Sequence, residues 1–449
     1  MTTVAVIGGG IGGISVALAL RQLAPDSEVM IFEASDRIGG KLATISVGKT
    51  RVEAGADSFI VRDPALIEVL ERTGLASELI EPRVFGGLVS LDGHLAPLPT
   101  GTIFGVPGSL RAVAAAPLSA RGKARAAAGL LRPGSLRGPD VAVGKWVTEH
   151  LGDEVLERLV DPILAGTRAG DVNEMSLAAA LPTVNAAARK RAPLLTTLKA
   201  PKVRPRFLTH RDGMSAMAEA LAHASGATIR TSSTVTSVEA QGAGYLVSTG
   251  SETIRVDGVA ICLGAAQAAA LVEGVAPLAA GLLKEMRSAS VAAVAFSWSK
   301  AVELPSGSSG ILIPSSNAET LSAATWWSLK WPHTGDDFVI RAFVGRAGHH
   351  RALDLDDEAL ASAALDDLKR HLPHLVTPEN YSVSRWPSGM PVYPIGHHEH
   401  LARFEAALGR TPGLVVTSAA FRGSGIPDVY LQATSAAARL LGGLRPARR

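Results

Sequence analysis

The strand-forming run Val4-Ala5-Val6-Ile7 passes directly into Gly8-Gly9-Gly10-Ile11-Gly12-Gly13, and twenty positions after Gly13 the acid Glu33 closes a second apolar run, Val29-Met30-Ile31-Phe32. Strand, glycine turn, helix and strand ending in a carboxylate make up the dinucleotide-binding fingerprint. Gly8 lets the chain turn tightly out of the strand, Gly10 lets backbone approach a pyrophosphate, and Gly13 lets the helix lie close on the sheet. The diphosphate then sits at the positive end of that helix, while Glu33 accepts from a ribose hydroxyl. Glycines of an ordinary surface loop would not fall in register with both the strands and the acid. The spacing therefore predicts an α/β fold that begins with a Rossmann-like nucleotide-binding unit.

A chain of 449 residues exceeds what one hydrophobic core usually supports, so two or three domains are expected. Cys262 is the single cysteine, which excludes an intramolecular disulfide and a thiolate metal cluster and fits a reducing cytoplasm. The N-terminal apolar run lacks a basic leader and reads as strand, turn and helix instead of a signal peptide. No window holds about 18 uninterrupted apolar residues, so the expectation is a soluble or peripheral protein.

Net charge is only +3, yet its distribution is uneven. Arg111, Arg121, Lys123, Arg125, Arg132 and Arg137 occur with no acid among them. Arg189, Lys190, Arg191, Lys199, Lys202, Arg204, Arg206 and Arg211 do the same further on. This middle region would seek an anionic partner, and peripheral contact with a membrane is one such role. Nucleic acid is a poorer candidate, because no aromatic interleaving or recognisable binding module accompanies the charge.

Periodicity and breakers divide the chain into a nucleotide-binding domain in three pieces (1–84, 207–285 and 385–449), a substrate domain of mixed sheet in two pieces (85–100 and 286–384) and a helical insertion (101–206). The pattern from Leu88 to Pro99 predicts a hairpin turning at Asp92-Gly93. Strands are expected near Thr228–Arg230, Val235–Glu239, Tyr245–Thr249, Val259–Leu263 and Leu414–Ala420. Helices are expected from Met214 to Ala224 and from Asp356 to Leu372.

Downstream of Glu33 come Arg37-Ile38-Gly39-Gly40-Lys41 and then Glu53-Ala54-Gly55-Ala56-Asp57-Ser58-Phe59. A nicotinamide enzyme needs neither loop. A flavin dinucleotide lying extended through the protein needs both, since pyrophosphate, ribityl chain and ring must each meet close backbone. The turn Gly423-Ser424-Gly425 would add a helix N-terminus beside the ring.

These segments, with Ala165-Gly166-Thr167-Arg168-Ala169-Gly170-Asp171, Arg385-Trp386-Pro387-Ser388-Gly389-Met390-Pro391 and Gly423-Ser424-Gly425-Ile426-Pro427-Asp428, resemble the protoporphyrinogen and coproporphyrinogen oxidases of haem synthesis. The motifs run in family order from Val4 to about Leu441. The first two are shared with amine oxidases and carotenoid desaturases, whereas the last three are more discriminating. The resemblance implies noncovalent FAD held by Gly8, Gly9, Gly10, Ile11, Gly12, Gly13, Glu33, Ala34, Lys41, Gly55, Ala56, Asp57, Ser58, Val235 (through its backbone), Trp386, Gly425, Ile426 and Pro427. It also implies a substrate domain above the flavin and a membrane-facing helical insertion. Three positions depart from the family pattern: Ser418 where glycine is common, Val429 where cysteine often follows the acid, and Arg168 where an aromatic residue is frequent.

The same resemblance implies a porphyrinogen substrate, oxidised by the flavin in two-electron steps and with dioxygen as acceptor. No residue is assigned as a catalytic acid or base, because aromatisation drives the reaction and positioning is the protein's main contribution. Arg62, Arg168, Lys330 and Arg341 are candidates for seating the substrate's propionates. Coproporphyrinogen III is favoured over protoporphyrinogen IX, with product passing to a ferrochelatase. The rivals are an amine oxidase or polyene desaturase and, in another class, a non-catalytic FAD-containing porphyrin carrier. An amine oxidase would line its pocket with an aromatic cage, and aromatics are only 4% of this chain. No metal is expected: neighbouring histidines in His397-His398-Glu399-His400 point apart, and His349-His350 is a weaker pair. Trp326, Trp327 and Trp331 read as core or pocket wall, and Cys262 as a buried small hydrophobe.

Overall fold

The computed structural model describes the chain except for residues 62–63, 137, 199–205, 318, 349–350 and 445–449. Five parallel strands form one sheet in the spatial order Thr228–Arg230, Glu28–Phe32, Thr3–Ile7, Gly258–Ile261 and Leu414–Val416. Because successive side chains of a strand point to opposite faces, Val4, Val6, Val29 and Ile31 enter one core and Ala5, Ile7, Met30 and Phe32 another. Helices Ile11–Leu23, Met214–Ala224 and Ile426–Gly443 cover the first face. A three-stranded antiparallel sheet (Val235–Gln241, Gly244–Thr249, Thr253–Val256) and helices Ala265–Val272, Pro277–Lys284 and His397–Leu408 cover the second. Coverage on both sides explains why these strands are apolar throughout instead of alternating.

A second sheet has seven strands in the order Asn380–Pro391, Ser288–Trp298, Phe338–Val344, Leu321–Thr325, Gly310–Leu312, Leu88–Leu91 and His94–Pro97. The last two are the hairpin expected at Asp92-Gly93; Asp92 at φ 51° and Gly93 at φ 78° form its turn. One face of this sheet packs on helix Asp357–His371, and the other meets the hairpin Thr44–Val47 and Thr50–Glu53 from the beginning of the chain. The strand Asn380–Pro391 continues past position 384, so Trp386 stands in the seven-stranded sheet.

Between Leu110 and Thr197 the chain is mainly helical and encloses its own core around Trp146, Leu159 and Leu164. The basic residues of the middle region are partly opposed once the chain is folded: Arg206 pairs with Glu81, Arg211 with Glu78, and Arg125 caps the helix Val143–Leu151 by donating to the His150 carbonyl at 2.8 Å. Arg137, Lys199, Lys202 and Arg204 lie outside the described residues. The strand expected over Leu414–Ala420 is shorter than its sequence suggests. It stops at Val416, and Ser418 turns the chain by capping a short helix, Ala419–Arg422, its hydroxyl accepting from the Ala420 N–H at 3.2 Å.

Candidate functional site

The first strand leaves the sheet through Gly8 at φ +103°, where a Cβ would lie 2.7 Å from the Cys262 carbonyl oxygen, so only glycine fits. A Cβ on Gly13 would stand 1.9 Å from the Gly8 oxygen; the helix Ile11–Leu23 is seated that closely on the turn. Gly10 differs. Its backbone is extended, no side chain caps the helix it begins, and a Cβ there would meet nothing nearer than the Gly40 Cα at 4.0 Å. The helix thus presents uncapped N–H groups beside open space, the setting in which an anion binds.

Glu33 is fixed at the edge of this loop. Its Oε2 accepts from the Gly9 N–H at 2.7 Å, and its Oε1 accepts from the Ser35 N–H at 2.9 Å and hydroxyl at 2.8 Å. The segment leading into Val235 is tied to the same place, since the Ser233 N–H donates to the Glu33 carbonyl at 2.8 Å. Ala34 follows on the exposed side.

The second glycine loop zips onto the first: Gly39 forms a parallel bridge with Gly10, and its N–H donates to the Gly9 carbonyl at 2.8 Å. Arg37 braces the loop by donating to the Gly40 carbonyl at 2.8 Å. The third turn is built on Lys41. The Ala56 N–H donates to the Lys41 carbonyl at 3.0 Å, and a Cβ on Gly55 would come within 2.0 Å of that oxygen. Three loops distant in purpose but close in sequence therefore form one continuous backbone cradle, Gly8–Gly13, Gly39–Lys41 and Gly55–Ser58.

The turn at Ala54–Ser58 is where this cradle meets the seven-stranded sheet. The Trp386 indole N–H donates to the Ala54 carbonyl at 2.9 Å, and Arg341 donates to the same oxygen at 3.2 Å and to the Gly55 carbonyl. Lys330 reaches Asp57 at 2.6 Å, while the Ser58 hydroxyl donates to the other Asp57 oxygen at 2.7 Å. Burial alone would raise the Asp57 carboxyl, but the Lys330 and Arg341 cations hold it down to about 2. Glu53 behaves oppositely: burial pushes it up to about 7, although it accepts from the Met214 N–H at 2.9 Å and from the Thr44 hydroxyl. Glu53 belongs to a motif visible in the sequence, yet only the folded hairpin reveals that its carboxyl is buried.

On the far side, helix Ile426–Gly443 starts at Gly425 with Pro427 in its first turn, and Val429 packs over Gly12. Gly423 at φ +127° makes the preceding bend. Tyr393, which the sequence did not single out, donates from its hydroxyl to the Ala419 carbonyl at 2.6 Å, and its ring lies tilted by 50° against that of His397, 4.8 Å between centres. Burial pushes the Tyr393 hydroxyl up to about 12, with Arg168 close enough to oppose that shift.

The candidate cations are placed differently from one another. Arg168 ends the helix Asp161–Arg168, with its guanidinium 5.1 Å from the centre of the Phe104 ring. Arg62 lies outside the described residues. Lys330 and Arg341 do not stand at an open mouth: Arg341 is 3% exposed, and the two are bonded to the Ala54–Asp57 turn. His397 is bonded to the Phe421 carbonyl at 2.6 Å and His400 to the Leu282 carbonyl at 2.8 Å, while His349 and His350 lie outside the described residues. Trp326, Trp327 and Trp331 are core residues, and Cys262 lies under the first glycine loop, where burial raises its thiol. One further chain, Ser90 to His371 to Glu319, has the order of a hydrolase triad at 3.0 and 2.8 Å; Ser90 is 1% exposed and so out of reach of any substrate.

A parallel sheet with a glycine cradle and a fixed acid at its edge, joined to a second large sheet, is the arrangement of a dinucleotide-dependent oxidoreductase. The chain belongs to the flavin containing amine oxidoreductase family, whose pattern matches residues 11–441, and its cofactor is FAD. It is 30% identical to the coproporphyrinogen III oxidase of Bacillus subtilis over 96% of each chain. It is 32% identical to that of Mycobacterium bovis over 94% of this chain and 93% of the other. Among solved structures, a protein of Exiguobacterium assigned as a protoporphyrinogen oxidase superposes with a TM-score of 0.87 at 28% identity, covering 97% of this chain and 98% of the other.

Proposed function

We propose that the protein oxidises coproporphyrinogen III to coproporphyrin III, removing six electrons in three two-electron steps, each returned to dioxygen as hydrogen peroxide. The observation that carries this reading is near-full-length identity of 30% to a coproporphyrinogen III oxidase. Bound FAD supplies the hydride acceptor. The chain's own residues bind and orient. Gly8, Gly9, Gly10, Ile11, Gly12 and Gly13 receive the pyrophosphate at the helix N-terminus; Glu33 and Ala34 take the ribose. Lys41, Gly55, Ala56, Asp57, Ser58, Val235, Trp386, Gly425, Ile426 and Pro427 enclose the rest. The openness beside Gly10, against the closeness at Gly8 and Gly13, supports that fit.

Of the cations weighed for the substrate's propionates, Arg168 is the described residue best suited, with Arg62 retained as a second. Lys330 and Arg341 instead serve the Ala54–Ser58 turn to which they are bonded. The division into a nucleotide-binding domain, a substrate domain and a helical insertion remains part of this proposal. So do a cytoplasmic location, peripheral contact of the basic insertion with anionic lipid and delivery of product to a ferrochelatase. Among the described residues no helix is long and apolar enough to cross a membrane.

Protoporphyrinogen IX is the second reading, favoured by the solved relative assigned to that reaction. Comparing kcat/KM for the two porphyrinogens by porphyrin fluorescence, at low and high ionic strength, separates them. The tetra-anionic coproporphyrinogen should be preferred, most strongly at low salt. Equal or reversed preference at low salt would transfer the assignment to protoporphyrinogen.

A further inference from the structure

The Ala54–Ser58 turn carries more positive charge than its own structure needs. Asp57 is answered by Lys330, at 2.6 Å, with side chains 16% and 19% exposed. Arg341 makes no direct ion pair among the described residues and feels through space the same Asp57 that Lys330 contacts. It is 3% exposed, donates to the carbonyls of Ala54 and Gly55, and its Nε has no hydrogen-bond partner among the described residues. Glu53, the other acid nearby, is committed to Met214 and Thr44 and is pushed up to about 7, so it is largely neutral below that pH. Lys330 and Arg341 thus share one firmly ionised carboxylate, Asp57, and the surplus buried cation acts strongly through the low-dielectric interior.

Such a cation suits a neighbour that becomes negative. Reduction of FAD does this: the oxidised ring takes two electrons and one proton to give the anionic reduced ring, gaining one negative charge. We propose that Arg341 and Lys330 are positioning residues that hold the Ala54–Ser58 turn in place and, by their charge, raise the reduction potential of the FAD seated against it, with Asp57 acting in the opposite sense. This rests on the placement of FAD proposed above. It requires no contact between either cation and substrate, and it accounts for two cations that the sequence marks as candidates for the propionates but that the fold turns inward.

The test is the midpoint potential of bound FAD, measured by anaerobic reductive titration against a reference dye, in the wild type and in Arg341→Met, Arg341→Lys, Lys330→Met and Asp57→Asn. The potential should fall in Arg341→Met and Lys330→Met, rise in Asp57→Asn, and lie between Arg341→Met and wild type in Arg341→Lys. A purely structural role would not give shifts of opposite sign from residues on one turn. If Arg341→Met fails to fold, the partly exposed pair Lys330→Met and Asp57→Asn carries the comparison. Shifts of one sign throughout, or none, in variants that retain FAD would overturn this inference alone. A wild-type chain that holds no FAD would overturn it together with the cofactor placement.

Discussion

The Trp386 indole N–H donates to the Ala54 carbonyl oxygen at 2.9 Å, joining the third loop of the glycine cradle to the edge strand of the seven-stranded sheet across 332 positions of sequence. The same oxygen accepts from Arg341, so two strands of that sheet, Phe338–Val344 and Asn380–Pro391, hold the Ala54 turn at one peptide unit. Trp386→Phe keeps an aromatic side chain but deletes the N–H donor together with the pyrrole ring that carries it. It should cost about 1 kcal/mol of stability and speed the release of FAD. Thermal unfolding and flavin fluorescence on dilution measure the two effects, and a variant unchanged in both would remove the indole from the cradle.

Two glycines of the first loop should fail in different ways. Gly13→Ala drives a Cβ to 1.9 Å from the Gly8 oxygen, so the helix must shift off the sheet, at a cost of about 1–3 kcal/mol or more. Gly10→Ala meets nothing nearer than 4.0 Å and keeps a backbone that alanine accepts; it should unfold like wild type but purify without yellow colour. A flavin-replete Gly10→Ala protein would put the pyrophosphate elsewhere.

Glu33→Ala should weaken FAD retention by roughly 1.5–3 kcal/mol, the worth of a charge-assisted hydrogen bond to the ribose. The flavin itself should be released by heat or acid, as expected for noncovalent attachment. Unaltered affinity in the variant, measured by equilibrium dialysis, would contradict the ribose assignment.

The buried carboxyl of Glu53 makes stability depend on pH. Its folded value is raised to about 7 from 4.5, so the folded chain binds the proton more tightly than the unfolded chain. The stability it contributes is complete below the ordinary glutamate range and is lost as pH rises through about 7, a difference on the order of 3 kcal/mol. Glu53→Gln keeps an acceptor for the Met214 N–H and cannot ionise. Between about pH 5 and about pH 8 the wild type should lose more thermal stability than the variant. Parallel pH profiles would show that Glu53 does not titrate in this window.

What the sequence reveals and what it hides divide along the length scale of the interaction. Gly8, Gly10, Gly13 and Glu33 are legible because the fingerprint is local, and Asp92-Gly93 because a tight turn needs positive φ within adjacent residues. The alternation of Val4, Ala5, Val6 and Ile7 between two cores hides in an all-apolar run, since both faces of a parallel sheet are covered. Lys330 and Arg341 read as candidates for an open mouth because a cation's direction depends on partners such as Asp57 and Ala54, 273 and 287 positions away. Ser418 reads as a strand residue until its hydroxyl is seen capping the next helix. Tyr393 gives no local signal, and its role emerges only where the segment after the edge strand approaches the Ala419–Gly425 bend.

The most direct test of the account is anaerobic mixing of the purified holoenzyme with coproporphyrinogen III, protoporphyrinogen IX and benzylamine, side by side, while flavin absorbance is followed. Coproporphyrinogen III should bleach the flavin fastest and give coproporphyrin III, with hydrogen peroxide appearing when air is admitted. Protoporphyrinogen IX should bleach it more slowly, and benzylamine should leave it oxidised. Bleaching by benzylamine with neither porphyrinogen effective, or a flavin that no porphyrinogen reduces, would contradict the account.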